Sequence, residues 1–382
     1  MDTSLELLQT ISFSQKAELQ LINFLLTNMI DEYDFSTRRA LSVYPRLNPD
    51  EKTKTILNLS SELIKDGPSW NSSLESFENF ERFLRAAGKR DHFVHQFEVF
   101  LLGWSILSHY FSFNNDVSDI KDKFNWWFIT SMSHDIGYPV SSFEQIIKRL
   151  AELYDNENTQ LLGEILKETK DKFCKLKEEH DNLINTADEV LVIIKQALDK
   201  LDIKGEEQNK LISKLTKALD HGYFSALLLF DSMVKAEKNN SFNDELYSLW
   251  TAGAISLHNL CHVNYSEIVR KINIVTNPFA YVLFIADCLQ EWERPNNIDN
   301  DFPIFIMDNF YITPENDIII KFILKHEHWT PQLVESQIEY IQKKEDRLNA
   351  LDTTNVPFKI IIEYACTDSE LNDKRISVPC EK

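Results

Sequence analysis

Glycine is scarce in this chain, with 8 in 382 residues. Such a sequence has few flexible turns. Leucine, lysine, glutamate and isoleucine recur at three- and four-residue spacings, so the scarcity argues for a mostly helical protein. Cysteine is equally uninformative as a framework: the five residues Cys174, Cys261, Cys288, Cys366 and Cys380 are scattered, odd in number and never spaced CxxC. That excludes a disulfide scaffold and a thiolate zinc site, and leaves cysteines expected to be reduced and mostly structural. No apolar run approaches the roughly 20 residues that a membrane span needs. The opening "MDTSLELLQTISF" lacks the basic flank and small-residue cleavage site of a signal peptide, so a soluble, cytoplasmic protein with no membrane partner is expected. Basic residues are outnumbered, 40 Lys and Arg against 60 Asp and Glu, and the net charge is -20. With no Lys/Arg-rich block to offset that charge, broad nucleic-acid binding is disfavoured. A small anion could still be held by a local cationic or metal site.

What is present is a substantial apolar content, 43% of the residues, enough for one large domain with appendages or for two domains. Short helices are expected over residues 4 to 65. A helix then starts behind the serines of "SWNSSLESFENFERFLRAAG", and "GKRDHFVHQFEVFLLGWSILSHYF" continues as an amphipathic segment with His95, Val99, Leu102 and Ile106 on one stripe. From about 145 to 215 the composition shifts to Lys and Glu while Leu162, Ile165, Phe173, Leu176, Leu183, Val190, Ile194 and Leu201 keep a helical rhythm. That reads as a helical insertion with a solvated face. Apolar helices return at 221–236, 245–261 and 277–292.

After residue 300 the texture changes. "PIFIMDNFYI", "DIIIKFIL" and "VPFKIIIEY" are short β-branched and aromatic runs, and a helix beginning near "TPQLVESQIEYIQKK" separates the second from the third. The expected class is mainly α: helices over 1–75, a helical bundle over 76–300 carrying the 145–215 insertion, and a small α+β appendage of order β-β-α-β over 301–382. No internal repeat or low-complexity tract is visible.

The chemistry concentrates in "SMSHDIGYPV", where His134 and Asp135 end the aromatic and apolar run "FNWWFIT". Further candidates are His95 on its stripe, His221 in "LDHGYFSALLLF", His258 in "AGAISLHNL" and Asp287 in "YVLFIADCLQEW". Buried imidazoles and carboxylates are costly unless paired or metal-bound, so five apolar segments that each carry one invite a common explanation. Taken singly, each is more often a hydrogen-bonded core or surface residue than a ligand. Mixed nitrogen and oxygen donors without thiolates suit a divalent ion such as Mn, Fe, Zn or Mg.

The ordered series His95, His134-Asp135, His221, His258, Asp287 resembles the HD superfamily of metal-dependent phosphohydrolases, specifically its six-ligand, two-metal members. "HQFEV" is similar to the first-histidine helix, "SHDIGYP" to the motif that names the superfamily, "HGYFSALL" and "AISLHN" to the two added histidines, and "FIADCLQEWERP" to the final aspartate. The resemblance covers about residues 80 to 295 without the insertion. Two features depart from the HD-GYP branch of cyclic dinucleotide phosphodiesterases: Tyr138 stands where a lysine is usual, and a single His258 is followed by Asn259.

The resemblance implies that His95, His134, Asp135 and Asp287 hold one divalent ion and that Asp135 bridges to a second held by His221 and His258. Hydroxide between the ions would attack phosphorus in a small phosphorylated molecule, most plausibly a nucleotide or signalling nucleotide. Arg294, seven residues after Asp287, is a candidate phosphate clamp, with a helix-end surface arginine an equal reading. His92 is a candidate proton-transfer neighbour of His95 or an exposed helix-start residue. Lys148, with Arg149, is a candidate phosphate contact or a solvated basic patch, and Tyr138 a candidate nucleobase or sugar contact. Trp126, Trp127, Phe128 and Phe143 are expected in the core. Two other functions fit the same donors: a di-iron oxygenase of the same superfamily, and a non-catalytic nucleotide-binding regulatory module. A homo-oligomer is left open.

Overall fold

The computed structural model describes residues 13–28, 35–63, 92–138, 188–217, 220–237, 245–262, 266–290, 304–325, 330–366 and 374–378. The protein is mainly helical. Three N-terminal helices, α1 (Phe13–Asn28), α2 (Phe35–Val43) and α3 (Pro49–Leu63), are linked by the 3₁₀ turn Tyr44–Arg46. The start of α3 is written in its sequence: Glu51 N donates to Asn48 Oδ1 at 3.0 Å and Asn48 N donates to Glu51 Oε2 at 3.1 Å. This reciprocal cap satisfies two helix-end donors, and Pro49 fits the first helical position because its missing N–H is not needed there.

The body is built around α4 (His92–Phe113), which packs on α1, α3, α5 (Ile120–Ser133) and α11 (Pro278–Leu289). A helix that is apolar all round has to be enclosed, and α4 buries Phe93, Phe97, Phe100, Leu102, Trp104 and Leu107. Between α5 and α11 come α6 (Asp188–Lys200), α7 (Gly205–Lys217), α8 (His221–Glu237), α9 (Glu245–Leu257) and the single turn α10 (Ser266–Val269). The described part of the expected insertion is helical, and α6 packs against α8 and α9. It buries Ile194, Ala197, Leu198 and Leu201, so this part contributes to the core as well as to the surface. Asn277 caps α11 by accepting from Ala280 N at 2.8 Å, and its amide donates to Trp250 O on α9 at 3.1 Å. That fixes the entry of the helix that carries Asp287.

The C-terminal appendage is a four-stranded sheet in the order β1 (Ile304–Ile312), β2 (Ile318–Lys325), β3 (Ile360–Cys366), β4 (Lys374–Val378). The β1–β2 and β3–β4 pairs are antiparallel, and β2–β3 is parallel across the connecting helix α12 (Pro331–Leu348). Three strands coincide with the three apolar runs. The fourth extends the expected β-β-α-β order by one: "KRISV" has only two apolar residues to mark it, and pairing with β3 makes it a strand. The sheet is tied to the N-terminal helices through Gln20, which donates to Asn309 Oδ1 at 2.9 Å and accepts from Phe310 N at 3.1 Å, beside an edge-on Phe24–Phe310 contact. His109 at the far end of α4 hydrogen-bonds Asn316 O at 2.8 Å and packs on Phe358. Among the described residues, no helix is long and apolar enough to cross a membrane.

Candidate metal centre

The six side chains singled out in the sequence come from five segments, and most sit where a helix begins or ends. His95 is in the first turn of α4, and His134 caps α5 with Asp135 in the turn that follows. His221 opens α8, His258 opens the 3₁₀ turn after α9, and Asp287 lies in the last turn of α11. The fold brings all six together.

Asp135 stands at the middle, and its two oxygens face different partners. Oδ1 lies 3.3 Å from His221 Nε2 and 3.6 Å from His258 Nε2. Oδ2 lies 3.8 Å from His95 Nε2 and 3.6 Å from His134 Nε2. Asp287 Oδ1 completes the second group, 3.0 Å from His95 Nε2 and 3.7 Å from His134 Nε2. Donors bonded to a common cation at about 2.0–2.2 Å sit roughly 2.8–3.6 Å from one another, whether octahedral or tetrahedral. The observed spacings run from 3.0 to 3.8 Å, inside that range or just above it. Two donor groups, His95–His134–Asp287 and His134–Asp135–His258, lie close enough together to hold a metal ion.

The imidazoles are oriented for ligation. His134 Nδ1 bonds Ser131 O at 2.6 Å, His258 Nδ1 bonds Ile255 O at 2.8 Å, and His95 Nδ1 bonds Gln290 Oε1. An oxygen of this kind can only accept, so each Nδ1 carries a proton and each Nε2 is the ring nitrogen turned to the centre, where it would ligate a cation. His134 Nε2 is buried and has no hydrogen-bond partner, a state that is costly for a polar atom and is relieved by a cation. The buried His/Asp group could therefore hold metal ions.

Electrostatics agree. Burial opposes ionisation of Asp135, yet the charge of His134 and the hydrogen bonds of His221 and His258 outweigh it and hold the carboxyl well below the usual carboxylate range. For Asp287 burial is again the largest influence and is again overcome, by His134 and His95. His258 moves the other way: burial pulls its pKa down, but hydrogen bonding to Asp135 and the charges of Asp287 and Asp135 push it above the ordinary imidazole value. The metal-free centre thus favours the ionised forms of Asp135 and Asp287 and the protonated form of His258. A cation competes with that proton, so metal uptake is expected to acidify a weakly buffered solution near the ordinary imidazole range. Titration with Zn²⁺ under a pH indicator measures this, and the wild type should release protons that His258→Ala does not.

The surroundings contain residues the sequence reading passed over. Asp220 precedes His221 and caps α8, accepting from Tyr223 N at 3.0 Å, while its other oxygen accepts from Asn259 Nδ2 at 2.6 Å. Asn259 therefore links the segments bearing His221 and His258. The signal for the cap was visible, since an aspartate directly before an apolar helical run is a helix-start residue; its partner 39 positions away was not. Two glycines permit the close approach of these segments. A Cβ on Gly137 would stand 2.4 Å from His221 O, and one on Gly222 would stand 2.7 Å from Ile255 O and 2.9 Å from the His258 ring. Gly222→Ala is therefore expected to cost about 1–3 kcal/mol of stability by overpacking. It should also weaken metal binding by displacing His258, both readable from thermal melts with and without Zn²⁺.

Of the other candidates, the Tyr138 ring packs edge-on against His221, 5.5 Å between centroids, with Tyr138 half-buried. His92 is the first residue of α4, and its side chain lies outside the described residues, as do Arg294, Lys148, Arg149 and Phe143. Trp126, Trp127 and Phe128 are in the core. Cys288 is buried. Compared with known proteins, the chain matches no family model, no curated protein and no solved structure.

Proposed function

We propose that the protein is a metal-dependent hydrolase of phosphate esters, a phosphohydrolase or phosphodiesterase of the HD superfamily acting on a nucleotide or signalling nucleotide with two divalent ions. The observation that carries this reading is the division of Asp135, with Oδ1 toward His221 and His258 and Oδ2 toward His95 and His134. A carboxylate shared in this way suits a pair of cations better than one. Bound divalent ions supply a water of lowered pKa and positive charge against phosphate oxygens. The chain supplies the rest. Carbonyl oxygens fix the tautomers of His95, His134 and His258, the two carboxylates hold negative charge in a buried setting, and Tyr138 stands beside His221 for contact with a base or sugar. Arg294 is the proposed phosphate clamp, Lys148 a further phosphate contact and His92 the proton-transfer neighbour of His95.

The test is to load the purified protein with Mn²⁺, Fe²⁺, Zn²⁺ or Mg²⁺ and incubate it with a panel of nucleotides and cyclic nucleotides, with Asp135→Ala as control. Metal-dependent phosphate release or ring opening, absent in the variant, is the expected result. A protein that binds metal yet turns over no phosphate ester in the panel overturns the proposal.

A further inference from the structure

The donor that holds His95 is itself held. Gln290 caps the C-terminal end of α11, three residues after Asp287, and its backbone N–H bonds Ala286 O at 2.8 Å. Its side chain bridges two groups on α4: Oε1 faces His95 Nδ1, and Nε2 donates to Glu98 Oε2. His95 and Glu98 are three residues apart and share a helix face. All three side chains are nearly excluded from solvent, Gln290 at 1%, His95 at 3% and Glu98 at 4% exposure.

An amide side chain can present either oxygen or nitrogen, so on its own it would leave the tautomer of His95 undecided. Glu98 Oε2 accepts from the Gln290 nitrogen and draws it toward itself. That turns Oε1 to His95, places the ring proton on Nδ1 and leaves Nε2 free as a donor. Reversing the amide would put the proton on Nε2, facing Asp287 Oδ1 at 3.0 Å, where it would block a cation. We infer that Glu98 and Gln290 are positioning residues that act in series to fix the ligating tautomer of His95. The inference rests on His95 being a ligand as proposed above, but the tautomer itself is a property of the metal-free chain.

The experiment uses the full chain labelled with ¹⁵N-histidine, metal-free and at alkaline pH so that the imidazoles are neutral. The nitrogen shifts of the His95 ring, assigned by comparison with His95→Gln, report which nitrogen bears hydrogen. Wild type should show the proton on Nδ1. Gln290→Leu should move it substantially to Nε2 and weaken Zn²⁺ binding about 10–100-fold, the usual effect of removing such a support. The exchanged pair Glu98→Gln with Gln290→Glu reverses the hydrogen bond between the two side chains but still sets an acceptor against His95 Nδ1, so it should restore both the Nδ1 proton and most of the affinity, which a merely space-filling role would not predict. A wild-type proton on Nε2, or an unchanged Nδ1 proton in a folded Gln290→Leu, overturns the inference. Correct tautomer behaviour in a chain that binds no metal would leave the inference standing and remove the function proposed above.

Discussion

Asp135→Ala is expected to abolish tight binding of divalent metal and to lower the proposed hydrolysis by roughly 10³-fold or more, with the helical fold intact. Asp135 turns one oxygen to each side of the centre, at 3.3 and 3.6 Å from His221 and His258 and at 3.6 and 3.8 Å from His134 and His95. Its loss leaves His221 and His258 facing each other at 3.2 Å without an anion to hold a cation between them. A metal ion contributes several kcal/mol of charge stabilisation in the transition state, and each 1.4 kcal/mol is a factor of ten in rate, which gives the figure above. Asp135→Asn keeps the shape and removes the charge, so it should resemble the alanine variant. Elemental analysis of the purified proteins and circular dichroism separate loss of metal from loss of fold. Full metal content in both variants is the result that sinks the bridging role.

Stripping the metal is the second large perturbation. A ligand present at 1,000 times its dissociation constant stabilises the native state by about 4 kcal/mol, so chelation should lower the melting temperature by several degrees and re-addition should restore it. The chelated protein should also acquire a pH dependence that the loaded one lacks. Asp135 and Asp287 are depressed, so their contribution is present above the ordinary carboxylate range and is lost as pH falls through their lowered values. His258 is raised, so its contribution is complete below the ordinary imidazole range and is lost as pH rises through its elevated value. The metal-free protein is therefore most stable in the window between those limits, and its melting temperature should decline on the alkaline side. Melts across pH with and without chelator measure this, and identical curves would show that no resident ion was removed.

The fold was legible where one physical signal dominated. The apolar stretches predicted helices that correspond to α8, α9 and α11, because a segment hydrophobic on most sides can only be enclosed, while α4, read as amphipathic with a single stripe, is buried on most sides. "DIIIKFIL" predicted a strand, and Ile318, Ile319, Ile320, Phe322 and Leu324 are enclosed in β2. The strand Lys374–Val378 was not legible because its identity comes from the neighbour it pairs with. At the site, histidines and aspartates on apolar helices could be named one by one, since their burial demands compensation. What lies around them could not. Glu98, Gln290, Asp220 and Asn259 are ordinary polar residues in a sequence, and their meaning depends on contacts 192 and 39 positions away.

The spread of the donors along the chain also sets when a cation could first be held during folding. His95 meets Asp287 across 192 positions, and α11 must be seated in the body before that contact exists. During synthesis, the segments bearing His95, His134, His221 and His258 emerge first and present imidazoles without their last carboxylate. Strong capture must therefore wait for the final helix, and a cation acts as a late clasp that slows unfolding rather than as a seed that speeds folding.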